Sequence, residues 1–213
     1  MTVKDAVYSR FSCRRFSDKP VPREVLAELL ADALHTPSCE NSQPWELYVA
    51  GLEAMKRLRE EYEACRKAKA QADLGRRFNG RWTDEMGPRI DSYFDGIVAH
   101  EERGNLDYTL QKRSLFYAPA MVFLCYDKEL PDWSLFDTGM FAQTLMLLAC
   151  EKGLATMASA VSVTYPDAIR RVLGIPENKN IVIGIGIGWP DDSAAINTFR
   201  PGRKGPEDIN FVD

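Results

Sequence analysis

The chain has 213 residues, and 45% of them are hydrophobic, which suits one globular domain with a large buried core. Its 27 basic and 31 acidic residues leave a net charge of −4, so bulk charge argues against a nucleic-acid partner and any anion site must be local. Cys13, Cys39, Cys65, Cys125 and Cys150 are odd in number, widely spaced and without a CxxC pair, so neither a disulfide framework nor a zinc knuckle is indicated.

A reduced, cytoplasmic setting is therefore expected, with the cysteines as packing residues. The opening "MTVKDAVYSR" has no signal-like apolar core. The longest nearly apolar run, "IVIGIGIGW", is far short of a bilayer span, so no membrane association is expected.

The spacing of "TVKDAVYSR" predicts a short helix, with Thr2 and Asp5 as a capping box. "VPREVLAELLADALHT" is a firmer helix: Pro22 suits its first turn, a wide apolar stripe includes Leu26 and Leu29, and Pro37 stops it. "WELYVA" alternates like a strand, and residues 52–70 read as a highly charged helix. Residues 71–113 mix glycine, proline, aromatics and charge without sustained periodicity. They read as an excursion from the core, an insert or lid beside a pocket.

Regularity returns with the buried strand "PAMVFLCYD". Asp137 is then expected to cap the helix "TGMFAQTLMLLACEKG", which stops at Gly153. That helix is apolar nearly all round and is expected to be central and buried. "LATMASAVSV" is strand-like. "TYPDAIRRVLG" is a short helix with a Thr164–Asp167 capping box, Pro166 in its first turn and Gly174 as its stop. "NIVIGIGIG" is a further strand. Strands and helices mix without strict βαβ alternation, which favours an α+β fold in a single domain spanning residues 1–213.

Several familiar sites are set aside. "GIGIGW" has Asp191 where a dinucleotide fingerprint needs its third glycine, and no amphipathic helix follows. A strand with isoleucines on one face and closely approached glycines on the other fits better. His35 and His100 lack metal-ligand companions. No GxSxG elbow and no Cys–His pairing stands out. Either the protein only binds, or a cofactor carries its chemistry.

Three polar stretches remain. In "SRFSCRRF", Arg10, Ser12 and Arg14 could be an ordinary solvated face or a phosphate clamp of guanidinium forks and a hydroxyl. Arg15 is assigned to solvent and Phe16 to the core. "TPSCENSQPWELYV" packs Ser38, Asn41, Ser42 and Gln43 between prolines, which suits a planar ligand with polar edges or a plain Asx-rich turn. "NTFRPGRKGPED" brings Arg200, Arg203 and Lys204, as a binding element or a solvated tail.

Taken in order, these stretches resemble the FMN-dependent nitroreductase family. The opening Arg10-x-Ser12-x-Arg14-x-Phe16 followed by "DKPVP" is similar to the family's first motif. Pro37, Ser38, Asn41, Gln43, Pro44 and Trp45 resemble its second, P-S-x-x-N-x-Q-P-W. "FDTGMFAQTLMLLACEKGLAT" is similar to its D-x-G-x-x-x-Q helix, and "NTFRPGR" to its N-x-F-R-x-x-R ending.

The resemblance implies an α+β fold with a central, mostly antiparallel sheet flanked by helices in an intertwined homodimer, each FMN site built from both chains. It assigns Arg10, Phe11 and Ser12 to the cofactor, with Arg203 and Arg200 joining Arg10 and Ser12 at the phosphate. Arg14 falls near the pyrimidine edge, where a cation would stabilise charge developing on reduction. Pro37, Ser38, Cys39, Asn41 and Gln43 would come from the partner chain. Ser159 and Ala160 would lie against the ring.

The implied activity takes hydride from NAD(P)H in a ping-pong cycle and reduces nitroaromatic, quinone or similar small electrophiles. A specialised flavin reductase, a reductive dehalogenase and a non-catalytic flavin-binding module are the alternatives. In the insert, Phe78, Trp82, Tyr93 and Phe94 are candidate pocket walls, or simple packing residues.

Overall fold

A computed structural model describes residues 1–73 and 82–212. Phe78 lies outside the described residues. The helices are α1 (Val3–Ser9), α2 (Arg23–Ala33), α3 (Leu52–Lys67), α4 (Gly87–Gly104), α5 (Tyr108–Arg113), α6 (Trp133–Glu151) and α7 (Pro166–Leu173). The strands are β1 (Glu46–Ala50), β2 (Ala120–Asp127), β3 (Ala155–Ser159) and β4 (Lys179–Gly188).

These strands form one antiparallel sheet in the order β1-β2-β4-β3. Successive side chains of a strand point to opposite faces, and both faces of β2 are covered. Met121, Phe123 and Cys125 join one apolar cluster with Phe16, Met55, Leu58 and Phe116. Ala120, Val122 and Leu124 join a second with Leu29, Phe141, Leu145 and Ile185. Helices α3 and α7 pack together, as do α2 and α6. The expected α+β class and antiparallel sheet are therefore present.

The "GIGIG" run is structural. Gly184 sits in β4 opposite both Phe123 and Ser159. A Cβ there would lie 2.6 Å from Met121 Sδ and 2.7 Å from Ser162 Oγ. Ser162 Oγ instead accepts a hydrogen bond from Gly184 N–H. The glycine thus lets the segment after β3 pack directly on the sheet.

Several expectations are corrected. Residues 87–113 are two helices rather than an irregular excursion, and Ile97 and Tyr108 join the first core cluster. The α4 pattern was obscured by Gly87, Pro88, Gly96 and Gly104. Pro88 belongs to the first turn, where its missing N–H costs nothing. Gly96 admits the Phe199 ring, whose nearest carbon would lie 2.3 Å from an added Cβ.

Helix α6 starts at Trp133, so Asp137 is internal and caps nothing. Its other apolar face is not buried within the chain: Trp133, Leu135 and Phe136 are exposed, as are Val3, Val7 and Tyr8 of the adjoining α1. Residues 160–163 are a 3-10 turn rather than more strand. Thr164 does not cap α7 either; its hydroxyl donates to Val161 O at 2.8 Å. The Thr2–Asp5 capping box does form. Among the described residues, no helix is long and apolar enough to cross a membrane, and no metal-binding cluster is present.

Candidate flavin cleft

After α1 the chain runs extended. Ser12 bridges to Thr156 of β3, and Cys13 N–H donates to Thr156 O at 2.9 Å. This fixes Arg10, Phe11, Ser12 and Arg14 along a cleft of about 560 Å³. Arg200 and Arg203 line the same cleft. The structure thus brings four arginines together, and no acidic residue is among the described residues lining it.

Arg14 is the buried member, at 2% exposure. Its Nη1 donates to Ser12 O at 3.0 Å and its Nη2 to Tyr93 Oη at 3.2 Å. The guanidinium lies 5.6 Å from the Tyr93 ring centre and 5.3 Å from that of Phe199. Its Nε is buried with no hydrogen-bond partner among the described residues. Buried charges are normally paired, because losing hydration costs several kcal/mol. A buried guanidinium held by neutral groups, with its Nε–H unpaired, keeps donor capacity for an anion.

Two of the other arginines are also partly desolvated and crowded by like charge. Burial, then repulsion from Arg203, holds Arg10 below the ordinary arginine range. Burial, then Arg14 and Arg10, does the same to Arg200. Both stay charged at any physiological pH. Arg200 is braced by Nη1 donating to Asn197 O and Phe199 O at 2.6 and 3.0 Å, with its guanidinium 4.1 Å from the Phe11 ring centre. Arg203 Nη1 donates to Pro201 O and Gly202 O, and the residue is exposed.

Asn197 joins the C-terminal segment to the arginine strand. Its Oδ1 accepts from Arg14 N–H at 2.9 Å and Arg15 N–H at 3.2 Å. Its Nδ2 donates to Arg15 O at 2.6 Å and Asp191 O at 3.0 Å. Sequence reasoning quoted Asn197 in a motif but gave it no role. Gln143, which lines the cleft from α6, was missed in the same way. Arg15 does not line the cleft, but it is not simply solvated: its Nε lies 3.9 Å from Asp191 and its guanidinium 5.4 Å from the Tyr117 ring centre.

Tyr93 of α4 does not line the cleft itself but backs it, accepting from Arg14 and lining a neighbouring cavity with Phe199, Arg200 and Arg203. Burial alone would raise its phenol, but hydrogen bonds from Arg14 and Tyr108, with the charges of Arg14 and Lys112, bring it below the usual tyrosine range. Tyr108 is pushed up to about 12, chiefly by burial. Phe94 packs edge-on to Tyr93 at 5.2 Å. Trp82 is exposed and lines a groove with Met86 and Phe94.

The second predicted stretch lies elsewhere. Residues 37–43 form an exposed loop that does not line the arginine cleft of its own chain. Glu40, Asn41 and Gln43 have φ of 51°, 59° and 45°. Such left-handed residues need local support. Ser38 Oγ accepts from Gln43 N–H at 2.9 Å, and Gln43 Nε2 donates to Asn41 Oδ1 at 3.1 Å. The 1%-exposed Asp137 carboxylate of α6 accepts from Cys39 N–H at 3.2 Å. Pro37 and Cys39 are exposed, so Cys39 is not a packing residue.

Ser159 ends β3 with its hydroxyl buried and unpartnered, and Ala160 is exposed at the start of the following turn. Neither lines the arginine cleft.

Fold and site define an α+β protein with a preorganised cationic cleft. The sequence profile of the nitroreductase family matches residues 7–189, and the chain belongs to that family. It is 30% identical to nitroreductase NfnB of Mycolicibacterium smegmatis, over 93% of this chain and 87% of that protein. It is 29% identical to the chloronitrobenzene nitroreductase of Comamonas testosteroni, over 94% and 92%. The crystal structure of the FMN and NADPH-dependent nitroreductase NfnB from sphigopyxis sp. strain HMH superposes with a TM-score of 0.90 at 26% identity, covering 100% of both chains.

Proposed function

We propose that the protein is an NAD(P)H-dependent FMN oxidoreductase that reduces nitro groups on aromatic acceptors, with quinones as further acceptors. The observation that carries this reading is Arg14: a buried guanidinium with an unused donor, at the head of a cleft lined by three more arginines. The residues fit FMN. Arg10, Ser12, Arg200 and Arg203 are a donor set for a phosphate. Arg14 suits the electron-rich edge of the ring.

Bound FMN supplies the redox chemistry, accepting hydride from a reduced nicotinamide and delivering electrons to the acceptor. The chain contributes binding and electrostatics. The fixed cation at Arg14 favours negative charge without reorganising, which is worth most in a water-poor site. Tyr93 and Phe199 keep water from its faces. If donor and acceptor used the site in turn, the reaction would follow a ping-pong cycle.

The site is completed in a homodimer. The exposed apolar surface of α1 and α6, including Tyr8, Trp133 and Phe136, supports this reading. So does the separation of the 37–43 loop from its own chain's arginines.

The test is spectroscopic. Purified protein should carry flavin absorbance, bleach anaerobically on adding NADPH or NADH, and regain colour on adding nitrobenzene. Protein that neither carries nor takes up FMN would overturn the assignment; bound flavin that never bleaches would leave a non-catalytic module.

A further inference from the structure

The cavity behind the cleft measures about 630 Å³, against about 560 Å³ for the cleft itself. It lies between one face of α4 and the segment from Phe199 to Arg203. Arg89, Ser92, Gly96 and Ala99 follow one another at three or four positions, so they share that face. Three of the four are small, which leaves the room.

The two cavities share a wall: Phe199, Arg200, Pro201 and Arg203 line both. Tyr93 and Phe199, with ring centres 5.8 Å apart, also line the second cavity, and the same rings lie against the Arg14 guanidinium. Whatever occupies the cleft therefore has this cavity beside it.

The polar groups are those of a nucleotide site. Arg89 and Arg203 are exposed and have no carboxylate partner among the described residues. Arg89 stands in the first turn of α4, where the helix dipole disfavours a cation, so the helix gives no reason for it. Guanidinium forks match phosphate oxygens, and the Ser92 hydroxyl is a further donor. Asp95 is the one acid in the lining and has no cation partner among the described residues. A bare anion would be repelled by it, whereas ribose hydroxyls would donate to it. Tyr93 presents an aromatic ring to a base. The volume is in the range of small-molecule sites.

We propose that this cavity is an adenylate subsite, with Arg89 and Arg203 on the phosphate and Asp95 on the ribose, for the adenosine half of a dinucleotide whose other half occupies the arginine cleft. The proposal rests on the function proposed above and adds a second binding site to it. Two dinucleotides present this chemistry to a flavin cleft: FAD held in place of FMN, and a reduced nicotinamide dinucleotide visiting as donor.

The test titrates adenosine monophosphate (AMP), which has no redox group, into the FMN-loaded protein by calorimetry. Wild-type affinity should fall with added salt. Arg89→Met should raise the Kd on the order of tenfold. Arg89 is exposed and unpaired, so folding should be kept, and thermal melting checks it. Asp95→Asn should weaken AMP but not inorganic phosphate, which has no ribose; a gain in affinity for both would show a bare anion site and sink the adenylate. Lys56→Met, a surface lysine of α3 paired with Glu53, is the control and should change nothing.

Two further readings separate the sources. Bound FMN is challenged with added FAD, and the retained flavin is identified by chromatography. Where FAD is the source, Arg89→Met lowers the share of FAD retained. Where the donor is the source, the variant raises KM for NADPH or NADH with little change in kcat. Either result supports the subsite. AMP binding needs no turnover, so a flavin that never bleaches while AMP still binds through Arg89 is a failure of the proposed function alone. Wild-type protein that does not bind AMP, or AMP, FAD and donor all unmoved by Arg89→Met, would overturn the subsite.

Discussion

The arginine cleft and the 37–43 loop were both read from polar motifs, yet they are built in opposite ways. The cleft is finished within one chain: Asn197 fastens the C-terminal segment to Arg14 and Arg15, across 183 positions for the Arg14 bond. Its charges are collected but unneutralised. The loop is shaped internally and pinned to α6 by Asp137, but it meets no arginine of its own cleft. One half of a cradle is electrostatically loaded, and the other is geometrically preset and displaced. That division supports the proposed site shared between two chains.

The comparison can be broken most severely at Asn197. Replacement by alanine removes four hydrogen bonds to buried or half-buried backbone. We expect a stability loss of about 3 kcal/mol in urea titration and loss of FMN from the purified protein. Stability unchanged within error would show that the cleft does not depend on this clamp.

Next in size is a subunit-mixing experiment. Asp137→Ala frees the Cys39 N–H and should cost about 2 kcal/mol while disabling the loop. Arg14→Ala disables the arginine half. Each variant alone should be nearly inactive. Refolded together, they should regain activity, because a mixed dimer contains one site with an intact loop and an intact arginine set. No recovery would place both halves of each site in the same chain.

A smaller effect is expected at Tyr93. Tyr93→Phe keeps the ring but loses the 3.2 Å bond to Arg14, and should slow flavin reduction by NADPH about threefold at neutral pH. The pH dependence sharpens the test. Tyr93 ionises below the usual tyrosine range, and its anion would cancel the Arg14 charge. The reduction rate should therefore fall as pH rises through that ionisation, and the fall should vanish in the phenylalanine variant.

The smallest effect concerns thiols. Burial pushes Cys13 and Cys125 up to about 12 from an ordinary 9.0. These groups favour the folded state only while protonated, so their contribution is complete below pH 9 and is lost between pH 9 and about 12. Chemical denaturation at stepped pH reads this decline. At neutral pH an alkylating reagent should modify exposed Cys39 long before either of them.

Much of this organisation was legible before any coordinates. The strands β1, β2 and β4 are apolar or alternating runs of β-branched and aromatic residues, and they fold as expected. Arg10, Ser12 and Arg14 stood out by spacing, and Arg200 and Arg203 by their motif. The misreadings came from residues with two uses. Asp137 looked like a helix cap because it precedes Thr138 and Gly139, whereas its carboxylate is needed in the second turn to hold a distant loop. Gly96 sat in a stretch read as irregular, because nothing local announces the Phe199 ring packed against it.

Sequence alone determined the periodic elements, the turn and stop residues, and the two arginine-bearing segments. These follow from local backbone preferences and side-chain chemistry, which a short window of residues already contains. Only tertiary structure decided that Arg14 is buried without a carboxylate among the described residues, that Asn197 is its clamp, that Tyr93 is its neighbour, and that the 37–43 loop stands apart from the cleft. Those facts depend on segments far apart in the chain and on which groups lose water together. Burial and pairing are properties of the packed whole, and no local pattern encodes them.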